Sequence, residues 1–168
     1  MVYLIGFMGA GKTTIAKLLS DKLKLPFFDT DQIIEQQEKK SITTIFEQQG
    51  ELYFRMLETK LLKEYNSKGI IACGGGLASY NNNMQLINSK GISVYLKAST
   101  NYLYNRLKDN KKNRPLIANM TNTELKSYIK EELINRKPFY ESSQHTILVD
   151  DKNKTEVLRK VNALICPR

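Results

Sequence analysis

The segment Gly6-Phe7-Met8-Gly9-Ala10-Gly11-Lys12-Thr13 matches the phosphate-binding loop pattern G-x-x-x-x-G-K-[ST] at every position. It lies between the apolar run Val2-Tyr3-Leu4-Ile5 and an amphipathic segment that begins near Lys12, which is the strand–loop–helix context that the pattern requires. A glycine-rich turn points successive backbone N–H groups into one concavity, and the following helix adds the positive end of its dipole. The segment therefore predicts a phosphate-binding site.

The residues of this loop have distinct predicted roles in holding a nucleotide. Lys12 is expected to reach the β- and γ-phosphates, and the Thr13 hydroxyl is expected to ligate Mg²⁺. The remaining predicted nucleotide contacts are Gly9, Ala10, Gly11 and Thr14. The alternative, a glycine turn without a ligand, is disfavoured because so many fixed positions rarely coincide in this context by chance. A phosphate loop alone does not distinguish a kinase from a GTPase or a mechanical ATPase.

The length of 168 residues predicts one domain, residues 1–168, because a chain of this size buries about 70% of its unfolded surface in a single core. Lys and Arg total 26 against 17 Asp and Glu, which gives a net charge of +9. This excess suits small anionic substrates as well as nucleic acid. Most lysines are scattered along predicted helices and no RNA-binding aromatic motif is visible, so we expect no nucleic-acid partner.

Several absences in the sequence bear on location and assembly. No apolar run approaches the roughly 20 residues of a membrane helix and no signal-peptide pattern is visible, so we expect a cytoplasmic protein without membrane contact. Cys73 and Cys166 match neither a zinc spacing nor a redox C-x-x-C motif, which predicts free thiols. No heptad repeat or large apolar helix face requires a partner, so we expect a monomer.

Apolar strand-like runs alternate with amphipathic helical segments along the chain. Strands are predicted over residues 2–5, 27–29, 70–73, 92–96 and 146–149. Helices are predicted over residues 12–24, 31–38, 42–49, 51–65, 80–89 and 100–108, from a capping box at Thr121 and Glu124 to Arg136, and around residues 157–164. Gly50 is expected to break one helix, and Pro138 to leave Arg136 at the end of another. The alternation predicts an α/β fold with a five-stranded, mostly parallel sheet between two layers of helices.

The candidate site residues follow the predicted strands. The phosphate loop follows the first strand, residues 29–31 follow the second and the glycines at 74–76 follow the third, so all can border one crevice. Asp31 suits the orientation of an attacking hydroxyl and is a candidate base. Arg55 and Arg136 suit an anionic acceptor because a planar guanidinium forms paired hydrogen bonds with a carboxylate or phosphate.

A polar, lysine-rich segment with little periodicity spans residues 109–120 and predicts a mobile loop. Arg114 lies within this segment, and several kinases supply transition-state charge from an arginine in a closing loop. We therefore expect the segment to close over a bound nucleotide.

Each of these groups also has a purely structural interpretation. The acidic residues after the second strand can simply cap the following helix. Arg55 and Arg136 can be surface ion-pair partners, Arg114-Pro115 can be a turn, and the three glycines can be a plain loop. Composition and spacing leave these alternatives open.

Taken together, six motifs resemble those of the shikimate kinase family, in order and with similar spacing over nearly the whole chain. They are Gly9-Ala10-Gly11-Lys12-Thr13, Asp29-Thr30-Asp31, Phe54-Arg55, Gly74-Gly75-Gly76, Arg114-Pro115-Leu116 and Arg136-x-Pro138-x-Tyr140. The resemblance implies a three-layer P-loop kinase fold with substrate-binding helices and a lid near residues 109–120. It also implies ATP- and Mg²⁺-dependent phosphorylation of the shikimate 3-hydroxyl, giving shikimate 3-phosphate and ADP in the route to chorismate and aromatic amino acids.

The resemblance assigns roles on the acceptor side of the site. Asp31 would hold the shikimate hydroxyls and orient the attacking one, and Arg55 and Arg136 would bind the carboxylate. The pocket would be completed by Gly74, Gly75 and Gly76 and walled by Phe46 and Phe54.

The resemblance also assigns roles on the donor side. Lys12 would stabilise the transferring phosphoryl group, and Arg114 would meet the ATP phosphates when the lid closes. Asp29 would act near Mg²⁺, beside Thr13.

Two positions concern the adenine base. Some members of the family carry two adjacent arginines at the start of the lid, where this chain has Arg106-Leu107 and so lacks the second arginine that would stack on the base. Lys154 lies in a segment that resembles the family's adenine loop only loosely, and it is a further nucleotide-binding candidate.

Two other functions remain open from the sequence. A P-loop kinase of another small polar acceptor, such as gluconate or a nucleoside monophosphate, would share the donor half of the site. A basic P-loop nucleic-acid-binding protein would account for the net charge of +9.

Overall fold

The computed structural model describes residues 1–111 and 114–165, and its centre is a five-stranded parallel sheet of order β2-β3-β1-β4-β5. The strands are β1 (Val2–Ile5), β2 (Phe27–Asp29), β3 (Ile70–Ala72), β4 (Ile92–Lys97) and β5 (His145–Leu148). All four residues of β1 are buried, although successive side chains of a strand point to opposite faces. The sheet is therefore covered on both sides, and the predicted α/β fold is confirmed.

Seven helices surround this sheet in the described residues. They are α1 (Lys12–Leu23), α2 (Thr30–Glu38), α3 (Ile42–Glu64), α4 (Asn83–Lys90), α5 (Thr100–Leu107), α6 (Asn122–Glu141) and α7 (Lys154–Ile165). The predicted break at Gly50 is confirmed as a kink within α3, where this residue has φ 80° and ψ 169°. The predicted capping box is also present, because the Thr121 and Glu124 side chains each accept a backbone N–H of the other residue.

The strand register brings the predicted site segments to one edge of the sheet. Ala72 of β3 pairs with Asp29 of β2 on one side and with Leu4 of β1 on the other. The three strands thus end at the same level. The phosphate loop, residues 29–31 and the glycine run after β3 all begin there, as expected for ligand sites in parallel sheets.

The prediction that Arg136 ends a helix is wrong. Helix α6 continues through Pro138 to Glu141, so Arg136 lies within it. Proline removes one backbone hydrogen bond from a helix, but Tyr140 beyond it is fully buried and its ring lies 5.0 Å from that of Tyr95. Burial of this large side chain favours one more helical turn and outweighs the local preference of proline.

Two smaller predictions also differ from the structure. The helix predicted over residues 80–89 begins at Asn83, because Leu77–Ser79 forms a 3₁₀ turn and Asn81 and Asn82 have positive φ values of 47° and 58°. The apolar run Phe27-Phe28 of β2 is typical of a buried strand, but the strand is half-buried. It lies at the edge of the sheet and so has a neighbouring strand on one side alone.

The prediction of free thiols is confirmed for Cys73, which is buried, whereas Cys166 lies outside the described residues. Residues 112 and 113 of the predicted lid also lie outside the described residues. Across the ranges 1–111 and 114–165, no helix combines the length and the apolar character needed to span a bilayer.

Candidate functional site

The phosphate loop wraps around the Lys12 side chain. Gly11, which caps α1, has the left-handed φ of 97° that a residue with a side chain rarely adopts. The Lys12 Nζ donates hydrogen bonds of 2.7 and 2.9 Å to the carbonyl oxygens of Gly6 and Phe7. Burial lowers the pKa of Lys12 to about 8, although nearby Asp31 acts in the opposite direction. The ammonium group is thereby held in the concavity of the loop.

Thr13 and Asp29 join this loop to the end of β2. The Thr13 hydroxyl donates a 2.8 Å hydrogen bond to Oδ2 of Asp29. Asp29 Oδ1 accepts the backbone N–H of Asp31 at 3.1 Å, so the same carboxylate caps α2. The helix-capping interpretation therefore holds for Asp29 and brings it beside Thr13.

The Thr13 and Asp29 oxygens fit a site for Mg²⁺ completed by other ligands. Mg²⁺ prefers oxygen ligands and is usually held by one or two protein groups together with water and substrate phosphates. Within residues 1–111 and 114–165, no group of three or more His, Cys, Asp or Glu side chains is arranged for a metal. A magnesium ion here would consequently depend on phosphate and water oxygens.

Two cavities meet at this edge of the sheet. The donor cavity, of about 200 Å³, is lined by Met8, Gly9, Gly11, Lys12, Thr13, Thr14, Asp29, Asp31, Cys73, Gly75, Arg106 and Arg114. The acceptor cavity, of about 150 Å³, is lined by Met8, Asp31, Glu35, Ile42, Thr43, Phe46, Phe54, Arg55, Glu58, Gly75, Gly76, Arg114, Pro115, Leu116 and Arg136. Asp31 and Arg114 belong to both linings, so they lie where the two cavities adjoin.

Asp31 is half-buried at the boundary between the cavities, with its Oδ1 shielded from water. Among the residues that the structure describes, no group forms a hydrogen bond with this Oδ1. Burial, together with the negative charge of Asp29, raises the pKa of Asp31 to about 6. A carboxyl group with one shielded, unpaired oxygen and a raised pKa is suited to accept a hydrogen bond or a proton from a ligand hydroxyl.

Arg55 is held by two glutamates of its own helix. Its Nε and Nη2 donate to Glu51 Oε1 at 3.1 and 2.7 Å, and its Nη1 donates to Glu58 Oε2 at 2.7 Å. Burial alone would lower the pKa of Arg55, but Glu58 and Glu51 raise it above its usual value. The guanidinium lies directly against Gly76, where a side chain would overlap it.

Arg136 is the second buried arginine of the acceptor cavity. It is 5% exposed and pairs with Glu132, one helical turn earlier in α6. Its guanidinium lies 5.3 Å from the centre of the Phe7 ring, and its Nη1 has no hydrogen-bond partner within residues 1–111 and 114–165. Both arginines therefore form ion pairs, as the structural interpretation expected, but its surface location is wrong, because Arg55 is also only 8% exposed.

Glu58 is a site residue that the sequence analysis missed. It is completely buried and lines the acceptor cavity, and its Oε1 has no hydrogen-bond partner in the described part of the chain. Burial raises its pKa to about 7, although the positive charge of Arg55 opposes the shift. Its Oε1 and Asp31 Oδ1 both lie next to the position that a side chain at Gly74 would occupy. The spacing of Arg55 and Glu58, three residues apart on a predicted helix, was the available indication.

The glycine run after β3 divides into two parts. Gly75 and Gly76 line the acceptor cavity, whereas Gly74 lines neither cavity and its N–H donates to the Thr30 hydroxyl at 2.8 Å. The Tyr140 hydroxyl donates a 2.5 Å hydrogen bond to the Gly75 carbonyl oxygen. Helix α6 thus fixes the middle of the glycine run.

The residues considered for adenine binding lie beside the phosphate loop. Lys154, Ala10, Thr14 and Arg106 contribute to a small cavity of about 30 Å³. Leu107, in contrast, is 1% exposed and belongs to the hydrophobic core. The second position of the Arg106-Leu107 pair therefore faces the interior of the protein instead of a bound base.

The predicted lid contains no helix or strand in its described residues, and it covers the acceptor cavity with Arg114, Pro115 and Leu116. Ile117 is 1% exposed and packs into the main core. At the end of the segment, Lys111 Nζ donates a 2.5 Å hydrogen bond to the Met120 carbonyl oxygen. The segment is therefore anchored at Ile117 while Arg114 borders both cavities.

Comparison with known proteins assigns this arrangement to a family. The family model for shikimate kinase matches residues 8–165. The shikimate kinase of Flavobacterium johnsoniae is 44% identical over 164 residues, which cover 95% of both chains.

Solved structures agree with this match. The structure of shikimate kinase from Acinetobacter baumannii in complex with shikimate has a TM-score of 0.89 and 34% identity, and the match covers 98% of this chain and 91% of that one. The shikimate kinase structure from Bacteroides thetaiotaomicron has a TM-score of 0.88 and 32% identity, with coverage of 97% and 96%. The chain belongs to the shikimate kinase family.

Proposed function

We propose that this protein transfers the γ-phosphoryl group of ATP to the 3-hydroxyl of shikimate, giving shikimate 3-phosphate and ADP. The observation that carries the proposal is that Asp31 and Arg114 line both the phosphate-loop cavity and the arginine-containing cavity. An acceptor hydroxyl beside Asp31 would therefore adjoin the terminal phosphate of a nucleotide bound in the loop. Membership of the shikimate kinase family supports shikimate as the acceptor.

On the donor side, the proposed roles follow from the chemistry of the loop. Its backbone N–H groups, from Gly9 to Thr14, would bind the phosphates, and Lys12 would move from the loop carbonyls to the transferring group. Thr13 and Asp29 would hold Mg²⁺, which when bound neutralises phosphate charge. Arg114 would add positive charge from the lid, and Lys154 and Arg106 would lie near the base.

On the acceptor side, Arg55 and Arg136 would bind the shikimate carboxylate and Asp31 would orient the attacking hydroxyl. The aromatic rings of Phe46 and Phe54, 5.2 Å apart, would form a wall for the six-membered ring. The backbone of the glycine run, at Gly75 and Gly76 with Gly74 behind them, would complete the pocket.

Shikimate-dependent formation of ADP tests this proposal directly. The protein should release ADP from ATP and Mg²⁺ in the presence of shikimate, and Arg136→Ala should nearly abolish turnover while ATP binding survives. The matched control is Arg159→Ala, which removes an exposed arginine from α7 and should behave like the wild type. Absence of shikimate-dependent turnover would contradict the proposal, and loss of ATP affinity in Arg136→Ala would contradict separate donor and acceptor sites.

The same assay distinguishes the two other functions. Turnover with gluconate or a nucleoside monophosphate, but not with shikimate, would indicate a kinase of another small acceptor. Salt-sensitive binding of nucleic acid without phosphorylation of any acceptor would indicate a nucleic-acid-binding protein.

We further propose that residues 1–168 act as a single kinase domain in the cytoplasm, as a monomer and without a nucleic-acid partner. Light scattering coupled to size-exclusion chromatography measures the oligomeric state.

A further inference from the structure

Another cavity lies on the side of Arg55 and Arg136 that faces away from the acceptor cavity. This outer cavity, of about 470 Å³, is lined by Glu51, Leu52, Arg55, Gly76, Ser79, Tyr80, Glu132, Asn135, Arg136 and Phe139. Arg55 and Arg136 line both the outer cavity and the acceptor cavity, whereas Glu51 and Glu132 line the outer cavity and not the acceptor cavity. The two guanidinium groups therefore separate the acceptor cavity from Glu51 and Glu132, which we call the outer glutamates.

Each outer glutamate pairs with the arginine that follows it by one helical turn. Glu51 contacts Arg55 on α3 at 2.7 Å, and Glu132 contacts Arg136 on α6. The side chains of the arginines are 10% and 7% exposed, whereas those of Glu51 and Glu132 are 48% and 24% exposed. Two separate helices thus use the same arrangement, a solvated carboxylate that holds a buried guanidinium from the outer side.

A buried guanidinium without a counter-charge binds small anions readily, because an unpaired buried charge is energetically costly. A carboxylate fixed on one side of it reduces that attraction, since a second anion then meets both the arginine and a like charge a few ångströms away. An acceptor that also contacts Asp31 and the aromatic wall can still bind. A simple anion has no such additional contacts.

We propose that Glu51 and Glu132 set the anion selectivity of the acceptor site, by keeping Arg55 and Arg136 neutralised until an acceptor of the right shape supplies its carboxylate. This inference deepens the proposed function and rests on it for the identity of the acceptor. The outer glutamates do not contact the acceptor in this scheme. They act through the arginines and are positioning and specificity-determining residues.

Glu132 is the more decisive of the two glutamates. Arg55 keeps the buried Glu58 as a partner when Glu51 is neutralised. In the part of the chain that the structure describes, Arg136 forms an ion pair with Glu132 alone, and its Nη1 has no hydrogen-bond partner. Loss of the charge at Glu132 should therefore leave Arg136 without its ion-pair partner, whereas loss at Glu51 should have a smaller effect.

The substitution Glu132→Gln separates charge from position, because the amide oxygen of glutamine still accepts a hydrogen bond from Arg136. Acetate serves as a carboxylate probe without ring or hydroxyl groups. We expect acetate to inhibit the variant competitively against shikimate, with an inhibition constant about fivefold or more below that of the wild type. The KM for shikimate should fall by a similar factor with kcat little changed, and Glu51→Gln should shift both values in the same direction but less.

The matched control is Glu141→Gln, which removes the same charge from an exposed position of α6, where Glu141 pairs with Lys97 at 2.9 Å. It should retain the wild-type response to acetate and so accounts for the general effect of salt. A second readout needs no turnover. Acetate should raise the melting temperature of Glu132→Gln more than those of the wild type and Glu141→Gln, because it binds the Arg136 charge that has lost its ion-pair partner.

The outcomes distinguish this inference from the proposed function. Wild-type turnover with shikimate tests the proposed function, and the melting-temperature comparison tests the role of the outer glutamates even without turnover. The inference would be overturned if Glu132→Gln had the wild-type inhibition constant for acetate and the wild-type increase in melting temperature with acetate. A KM that rises several-fold without new acetate sensitivity would also overturn it, because Glu132 would then merely hold Arg136 in place.

Discussion

The hydroxyl group of Thr13 donates a 2.8 Å hydrogen bond to Oδ2 of Asp29. This contact connects the first turn of α1 to the end of β2, which lies two strands away from β1 in the sheet. It places a hydroxyl and a carboxylate together at the mouth of the phosphate loop. In the proposed function these two oxygens would be ligands of Mg²⁺.

The substitution Asp29→Asn should weaken the response of the enzyme to Mg²⁺. A neutral amide preserves the shape of the helix cap but removes the negative charge that attracts the cation. We expect the Mg²⁺ concentration for half-maximal turnover to rise by about tenfold or more, with little change in the KM for shikimate. Asp21→Asn, at an exposed position of α1, is the control. An unchanged Mg²⁺ titration would exclude Asp29 from the metal site.

The substitution Tyr140→Phe should weaken acceptor binding without unfolding the protein. It keeps the buried ring but removes the hydroxyl that donates to the Gly75 carbonyl oxygen at 2.5 Å. One such hydrogen bond contributes about 1 kcal/mol, so the KM for shikimate should rise about fivefold while the KM for ATP changes little. Tyr104→Phe on α5, which borders neither the donor nor the acceptor cavity, controls for loss of a phenol. An equal rise in the KM values for shikimate and ATP would show that Tyr140 supports the whole fold and not specifically the glycine run.

The parts of the fold that local patterns encode could be predicted from the sequence. The five strands follow from short apolar runs, and the phosphate loop follows from fixed residues at fixed spacing. The meeting of Asp29, Asp31 and Gly75 at one sheet edge follows from the rule that parallel strands present their carboxyl ends together. These inferences need no knowledge of side-chain packing.

The features that the sequence analysis missed depend on burial. Pro138 indicated a helix end by local rules, but the burial of Tyr140 continues α6 beyond it. Glu58 looks like any glutamate on an amphipathic helix, and only the packing of α3 under the glycine run removes it from water. Arg55 and Arg136 were recognised, yet their separation of two cavities depends on the relative placement of α3 and α6.

Neutralising Asp31 should stabilise the protein in a pH-dependent way. Burial raises the pKa of this carboxyl group from 3.8 to about 6, so the folded state binds its proton more tightly than the unfolded state does. The favourable contribution is complete below about pH 4 and is lost as the pH rises through about 6. Asp31→Asn should thus match the wild type in stability near pH 4 and exceed it by roughly 2–3 kcal/mol near pH 7. Urea unfolding at both pH values measures the difference, and a gain of equal size at the two values would exclude ionisation of Asp31 as its cause.

Lys90 should be a major local determinant of the stability of α3. Its Nζ lies 2.6, 2.8 and 3.1 Å from the carbonyl oxygens of Leu62, Lys63 and Tyr65, at the end of the helix. The ammonium group thus satisfies carbonyls that have no partner within the helix and complements the negative end of its dipole. Lys90→Met keeps the apolar stem and removes the charge, so the free energy of unfolding should fall by about 2 kcal/mol.

Urea unfolding of Lys90→Met beside Lys60→Met, a substitution at an exposed position of α3, measures this effect. The free energy of unfolding of the Lys60 variant should lie within about 0.5 kcal/mol of the wild-type value, as is usual for surface substitutions. The turnover of both variants with shikimate should stay near the wild-type value, because neither lysine lines the donor or the acceptor cavity. Equal free energies of unfolding for the two variants would contradict this prediction. Water would then satisfy the α3 carbonyls as well as Lys90 does, and the contacts of Lys90 would add no stability.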